Sequence, residues 1–126
     1  MERAAGPFLN VARLQVRLTT TGRRSGEARP VTLYAFPDGD RLVVVGSWGG
    51  KARDPAWAGN LRAEPSARVR AEGTERPVTA HEVSGSERER LWELVCMAFP
   101  LYRTYQRRTT RTIPLFVLAP SGDQQG

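Results

Sequence analysis

The centre of the chain reads Val31-Thr-Leu-Tyr-Ala-Phe-Pro-Asp-Gly-Asp-Arg-Leu-Val-Val-Val45. Val31, Leu33 and Ala35 share one face of an alternating pattern, which predicts a half-buried strand. Residues 37–40 predict a tight turn, because proline presets φ, aspartate bonds its own backbone and glycine accepts positive φ. Residues 42–45 are apolar on both faces, so they predict a central strand that is covered on both sides.

Four further strands are predicted around this centre. They are expected at residues 11–19, 67–71, 77–83 and 113–118, where apolar side chains alternate with polar ones or form a short run. Strands this short and closely spaced, with turns between them, favour a small antiparallel barrel. The predicted fold class is therefore mainly β (α+β): a six-stranded antiparallel barrel with two or three helices in its connections.

The helices are predicted from their end signals. Asp54 and Pro55 are typical of the N-cap and first residue of a helix, here a short one that ends near residue 62. Overlapping Ser-x-x-Glu patterns that begin at Ser84 predict the start of a longer helix, which ends or kinks at Pro100. A further turn or helix is expected over 102–108.

The length of 126 residues predicts a single domain, 1–126, with an N-terminal arm at 1–10 and a frayed tail at 120–126. The longest apolar run, 42–46, is too short for a transmembrane helix. Residues 1–18 lack the apolar stretch of a secretory signal. A single cysteine, Cys96, fits a reducing compartment, so we expect a cytoplasmic protein.

The chain is strongly basic, with 19 lysine and arginine residues against 13 acidic ones and a net charge of +6. All the basic residues except Lys51 are arginine, whose planar fork of donors suits phosphates and carboxylates. We therefore expect an anionic partner, either a nucleic acid, an acidic membrane surface or a polyanionic cofactor.

The usual catalytic groups are sparse. His81 is the one histidine and lies among surface-type neighbours, and Cys96 lies in the apolar stretch of the long helix. No spacing of histidine, cysteine or carboxylate suggests a metal site. If the protein is an enzyme, a bound organic cofactor must supply the reactivity.

Three segments are candidates for binding. The first, Thr19-Thr-Thr-Gly-Arg-Arg-Ser-Gly26 with Arg29 behind it, brings guanidinium, hydroxyl and free backbone donors into one turn, which is either a phosphate or carboxylate cradle or an ordinary exposed hairpin. The second, Ser47-Trp-Gly-Gly50, follows the most buried strand and lets backbone approach a flat ligand. Trp57 and Asn60 share a helix face, where Trp57 is at least partly a core anchor.

The third segment contains Tyr102 and Tyr105, three residues apart on one helical face. Two phenols in this arrangement provide hydrogen-bond donors to a pocket. The alternative is that they only pack at an interface between elements.

Further motifs follow the same order along the chain, including Pro55-Ala-Trp-Ala-Gly-Asn-Leu-Arg-Ala-Glu-Pro65, Glu87-Arg-Glu-Arg-Leu-Trp92 and Pro100-Leu-Tyr-Arg-Thr-Tyr-Gln106. Together with Asp38–Ser47 and Ile113-Pro114, they resemble the deazaflavin (coenzyme F420)-dependent nitroreductases of the flavin- and deazaflavin-binding split β-barrel superfamily. The resemblance covers residues 14–120 and depends on the order and spacing of the motifs.

The resemblance implies a split barrel whose groove holds F420. It assigns the phosphate and acidic tail to the first candidate segment, through Thr19, Arg23, Arg24, Ser25, Gly26 and Arg29. It assigns the deazaflavin to Ser47, Trp48, Gly49, Gly50, Trp57 and Asn60. It places three tyrosines, Tyr34, Tyr102 and Tyr105, on the substrate side of the ring.

The resemblance also implies the reaction: a hydride passes from reduced deazaflavin to a small organic acceptor, a quinone, nitro or enone compound. Hydrogen bonds to the acceptor oxygen are expected from Tyr34, Ser47, Tyr102 and Tyr105. Phe99 stands where many relatives have a third tyrosine, and Ala58-Gly59 replaces a bulkier pair. Both departures predict a roomier, less polar substrate pocket, so nitroimidazole reduction is not carried over.

Several alternatives remain open at this point. FMN or haem on the same fold, or an F420 or flavin carrier without turnover, fits the same motifs. A basic nucleic-acid-binding barrel is the unrelated alternative, although the aromatic residues are not interleaved with arginine along one strand face, so no specific nucleic-acid partner is expected. Peripheral membrane contact by residues 1–10 also stays open, and a monomer and a homodimer are both compatible with the sequence.

Overall fold

The computed structural model describes residues 13–121. The strands are β1 (Leu14–Thr21), β2 (Ala28–Asp38), β3 (Arg41–Val45), β4 (Ser66–Ala71), β5 (Thr74–Glu82) and β6 (Leu115–Pro120). The helices are α1 (Ala56–Ala63), α2 (Gly85–Ala98) and α3 (Leu101–Arg107), and a 3₁₀ turn spans Trp48–Gly50. The predicted arm at 1–10 lies outside the described residues.

The six strands close into an antiparallel barrel in the order β1-β2-β3-β6-β5-β4. This confirms the predicted fold class, with three helices in the connections. The barrel wall is split beside the first half of β2, because β3 pairs only with residues 35–38 of that strand. Among the described residues, the first half of β2 therefore has β1 as its one neighbouring strand and presents its other backbone edge to a groove.

Two apolar cores lie on either side of the barrel wall. Inward side chains of the strands fill the interior together with Trp57 and Leu61 of α1. Outward side chains pack under α2 and α3, where Leu91 and Val95 are fully buried. The strand β3 serves both cores, since Val43 faces one and Val44 the other, as its two-sided apolar pattern predicts.

Some predicted element ends are wrong. The cap of α1 is Pro55, not Asp54, because the Asp54 carboxylate forms ion pairs with Arg62 and Arg111 instead. Ser84 does precede α2, but its side chain makes no capping hydrogen bond. The predicted frayed tail at 120–126 is wrong for its first two residues, since Pro120 belongs to β6 and Ser121 donates its backbone N–H to the Pro77 carbonyl at 3.1 Å. The rest of that segment lies outside the described residues.

Candidate functional site

A cavity of about 870 Å³ opens beside residues 28–34 of β2, on the edge of the strand that faces away from β1. The hairpin after β1 forms one end, the start of α1 and the turn after β3 form its sides, and α3 forms the other end. Most of the site residues predicted from sequence line it: Arg23, Arg24, Ser25, Arg29, Tyr34, Ser47, Trp48, Trp57, Asn60, Tyr102 and Tyr105. Residues that are far apart in the sequence thus converge on one space.

The prediction for Thr19 is wrong by one residue. Thr19 lies on the opposite face of β1, beside Arg17 and Arg68, in a separate small hollow. The cavity is lined instead by Thr20, which is buried and accepts a hydrogen bond from the Asn60 side-chain amide at 3.1 Å. Successive side chains of a strand point to opposite faces, so an error of one residue reverses the face.

The predicted glycines do not line the cavity. Gly26 and Gly49 have positive φ values of 75° and 64°, which fit the turns where they occur. Gly50 also has positive φ, and a Cβ atom there would lie 2.7 Å from the Tyr105 carbonyl oxygen. The glycine therefore lets α3 pack closely against the turn after β3.

The basic end of the cavity is partly fixed by hydrogen bonds. Asn60 Oδ1 accepts from the Arg23 backbone N–H at 3.2 Å and from Arg23 Nη1 at 2.8 Å. Arg29 Nη2 donates to Ser25 Oγ at 3.1 Å. With Arg24 alongside, these guanidinium groups give this end of the cavity a concentration of positive charge and N–H donors.

The opposite end of the cavity is aromatic. Tyr102 is 5% exposed and packs against Phe36, Phe99 and Tyr105, with ring centroids 5.7, 4.8 and 6.2 Å away. Burial raises the pKa of Tyr102 well above its usual value, so the side chain stays a neutral phenol. Its hydroxyl has no hydrogen-bond partner within residues 13–121, although a buried polar group normally has one. Tyr102 therefore adds a phenol to the cavity wall that is not engaged by the described part of the chain.

Tyr34 and Phe99 complete the aromatic end. Tyr34 is 40% exposed, and the Arg13 guanidinium lies 4.6 Å from its ring centroid. Phe99 contacts the rings of Tyr34, Tyr102 and Tyr105, so it is the centre of the cluster. It also lines the cavity, as expected from its place beside the tyrosine segment.

Sequence reasoning missed Arg111, which holds the turn after β3. Its guanidinium donates to the carbonyl oxygens of Gly46, Ser47 and Lys51 at 3.1, 2.8 and 2.8 Å, and to Asp54 Oδ1 at 2.7 Å. Trp48, within this turn, has a φ of 45°, a conformation that is strained for a bulky residue. No local pattern marks Arg111, because its partners are 57 to 65 residues away in the sequence.

We expect Arg111→Met to lower the free energy of unfolding by about 1.5–3 kcal/mol, the range for hydrogen bonds to charged groups. The variant should also change the fluorescence of Trp48, because the turn loses its anchor. Urea unfolding and emission spectra would measure both effects. Arg107→Met is the control, since Arg107 donates only to Thr104 within the described residues; equal unfolding free energies for the two variants would contradict the prediction.

The comparisons with known proteins now decide the family. Residues 4–120 match the family model of the F420H(2)-dependent quinone reductases. This chain belongs to that family. The resemblance to F420-dependent enzymes is confirmed, and with it the assignment as an F420-dependent reductase whose cofactor is coenzyme F420.

Individual relatives agree with this. The F420H(2)-dependent quinone reductase Rv1261c of Mycobacterium tuberculosis (strain ATCC 25618 / H37Rv) is 36% identical over 104 residues, 80% of this chain and 70% of the relative. A solved F420-H2 dependent reductase (FDR-A) is 38% identical, with a TM-score of 0.76 over 82% of this chain and 92% of that one. Another structure, a domain-swapped dimer, is 38% identical with a TM-score of 0.78 over 86% and 81%.

Proposed function

We propose that the cavity holds reduced F420, with its anionic tail at the basic end and its deazaflavin towards the aromatic end, where a quinone accepts the hydride. One observation carries the proposal: a single cavity joins a group of arginines to a buried phenol without a hydrogen-bond partner in residues 13–121. The cavity thus has one end for a polyanion and another for an oxygen that gains negative charge.

The residues of the basic end fit the tail, which carries a phosphate and glutamate carboxylates. Arg23, Arg24 and Arg29 provide charge-assisted donors, and Ser25 holds Arg29 through its hydroxyl. A flat planar fork binds such oxygens in pairs, which also orients the group that it binds. These residues would fix the tail and so set the position of the ring.

The side walls fit the ring. Ser47 and Asn60 are buried polar residues on the cavity wall, and Trp48 is 44% exposed at its rim. Trp57 is 9% exposed and packs edge-on against Phe116 at 5.8 Å, so it braces the wall from inside the barrel more than it offers a surface for stacking. The walls would exclude water and hold the ring and the acceptor in contact.

Bound F420H2 supplies a hydride from its central ring carbon to the acceptor. The chain contributes hydrogen bonds that stabilise the negative charge arriving on the acceptor oxygen. Tyr102 suits this role, because its hydroxyl is unpaired within the described residues and its raised pKa keeps the proton on it. Tyr34, Tyr105 and Ser47 complete the polar part of the lining.

The aromatic end favours a quinone as the acceptor class. Phe99 contacts three tyrosine rings, so this end offers flat apolar surfaces with hydroxyl groups beside them. A quinone has the matching features, a flat ring with carbonyl oxygens on its edge. The family match supports the same class.

The test is binding and turnover with the purified wild-type protein. We expect it to quench the fluorescence of F420 on titration and to oxidise F420H2 with menadione, followed at the deazaflavin absorbance. FMN and NADPH are the controls for the cofactor, and a nitroaromatic compound is the control for the acceptor. Tighter binding of FMN than of F420, or no reduction of menadione, would contradict the proposal.

The assembly and the location are also proposals. A structure 38% identical to this chain is a domain-swapped dimer, which supports a homodimer over a monomer. Light scattering after gel filtration would measure the mass.

Within the described part of the chain, none of the helices has the length and apolar character of a membrane-spanning segment. Fractionation of cells that express the protein would test the cytoplasmic location and any membrane contact of residues 1–10.

A further inference from the structure

Gly59 of α1 lies directly against the side chain of Arg23. A Cβ atom at this position would lie 3.0 Å from both Cζ and Nη1 of Arg23 and 3.2 Å from its Nε. A Cβ atom is rarely this close to a neighbouring side chain, so a residue with a side chain here would displace the guanidinium by a few tenths of an ångström. From the sequence, the Ala58-Gly59 pair predicts a roomier substrate pocket. That prediction is wrong, because Ala58 is buried in the barrel core and Gly59 faces Arg23 at the basic end.

The guanidinium of Arg23 is held on one nitrogen only. Nη1 donates to Asn60 Oδ1 at 2.8 Å and to the Ala56 carbonyl at 3.0 Å. Within residues 13–121, the N–H groups on Nε and Nη2 have no hydrogen-bond partner. These two nitrogens form one of the parallel forks with which arginine binds a carboxylate or phosphate. Arg23 lines the cavity, so the protein anchors one side of the guanidinium and leaves a fork for a ligand.

Glycine is otherwise a poor choice at this position. Gly59 lies in the middle of α1, and its φ is not positive, so the backbone does not require glycine. Alanine stabilises a helix interior relative to glycine because it loses less conformational entropy on folding. The helix is therefore weaker than it needs to be at a residue that contacts Arg23.

We propose that Gly59 is a positioning residue: its missing side chain makes room for the Arg23 guanidinium on Asn60 and Ala56, which aims the free fork at the anionic tail of the cofactor. This inference rests on the proposed function for the identity of the ligand. It deepens that function, because tail affinity then depends on a residue that does not line the cavity.

Substitution of Gly59 tests the inference through two opposite effects. Without cofactor, Gly59→Ala should raise the unfolding temperature, by up to about 3–5 °C for a chain of this size. It should nevertheless weaken F420 binding by roughly tenfold, about the effect of losing one charge-assisted hydrogen bond. Gly59→Leu should weaken binding further, towards the level of Arg23→Met. A residue with only a structural role would move stability and affinity in the same direction.

Two controls identify the path of the effect. Ala63→Leu enlarges an exposed residue of α1 and should leave F420 affinity unchanged. In an Arg23→Met background, Gly59→Ala should no longer change F420 affinity, and it should raise the unfolding temperature more than in the wild type, because no guanidinium is displaced. A deazaflavin that has the ribityl chain but no phosphate or tail should bind to Gly59→Ala as it binds to the wild type.

The outcomes separate the inference from the proposed function. Wild-type affinity in both Gly59 variants, or the same loss with and without Arg23, would overturn the role of Gly59. If the wild type does not bind F420, the proposed function fails. The unfolding temperatures without cofactor then still decide the inference, since independence of the Gly59 and Arg23 effects would overturn it.

Discussion

Tyr102→Phe is expected to slow hydride transfer to a quinone by roughly 10²–10³, or about 2.7–4 kcal/mol, the effect of removing one preorganised hydrogen bond to a developing oxyanion. F420 affinity should stay nearly unchanged, because Tyr102 lies at the aromatic end of the cavity and the arginines at the other. The stability of the cofactor-free protein should not fall. The hydroxyl that is removed makes no hydrogen bond within residues 13–121, so the fold loses no hydrogen bond with it, and the ring keeps its packing against Phe36 and Phe99.

Single-turnover oxidation of reduced F420 by menadione measures this effect directly. Ionisation of Tyr102 should not change the wild-type rate between about pH 6 and pH 9. Burial raises the pKa of this phenol further above its ordinary value near 10, so the hydroxyl keeps its proton over that range. A titration in that range would show that another group donates the critical hydrogen bond.

Tyr105→Phe and Tyr34→Phe are the comparison variants, since both tyrosines line the cavity but are less buried. We expect smaller losses of rate from these two variants, because water can reach the site of either hydroxyl and replace the hydrogen bond that is lost. Parent rates and parent menadione affinity in both Tyr102→Phe and Tyr105→Phe would mean that the tyrosines only form the walls, and that water supplies the hydrogen bond and proton.

Much of the fold could be predicted because it depends on local pattern. The alternation in β1, the two-sided apolar run in β3 and the turn at 37–40 each follow from residues next to one another in the sequence. Element ends were less predictable where a distant residue competes. Asp54 has the right neighbours for a helix cap, but its carboxylate accepts hydrogen bonds from Arg62 and Arg111, and Pro55 takes the N-cap position.

The site shows the same limit more sharply. Most of the predicted residues line the cavity, but the motif alone did not separate Thr19 from Thr20, which lie on opposite faces of β1. The absence of a side chain at Gly59 matters because the residue contacts Arg23, 36 residues earlier. Arg111 acts by donating hydrogen bonds to carbonyl groups in another loop. Both residues act through contacts with parts of the chain that are distant in sequence, and such contacts leave no pattern in a single sequence.

Replacement of Arg23 and Arg24, two of the three arginines at the basic end of the cavity, is expected to have the largest effect on binding. Arg23→Ala with Arg24→Ala should weaken F420 affinity by roughly 2–5 kcal/mol, because two charge-assisted interactions with the tail are lost. The fold should persist. The hairpin is exposed, and Asn60 Oδ1 keeps the backbone N–H of residue 23 as a donor at 3.2 Å.

Fluorescence titration with F420 at fixed ionic strength measures this loss, and the matched control is Arg68→Ala with Arg70→Ala. That pair removes the same charge from the outer face of β4, away from the cavity, so it reports general electrostatic attraction alone. The two double variants should differ in their affinity for F420. They should bind a ribityl deazaflavin that lacks the phosphate and tail with the same affinity. If the Arg23/Arg24 variant binds F420 no more weakly than the Arg68/Arg70 variant, the hairpin after β1 is not the tail site. The anionic end of the cofactor would then have to lie elsewhere, and the proposed orientation of F420 in the cavity would be wrong.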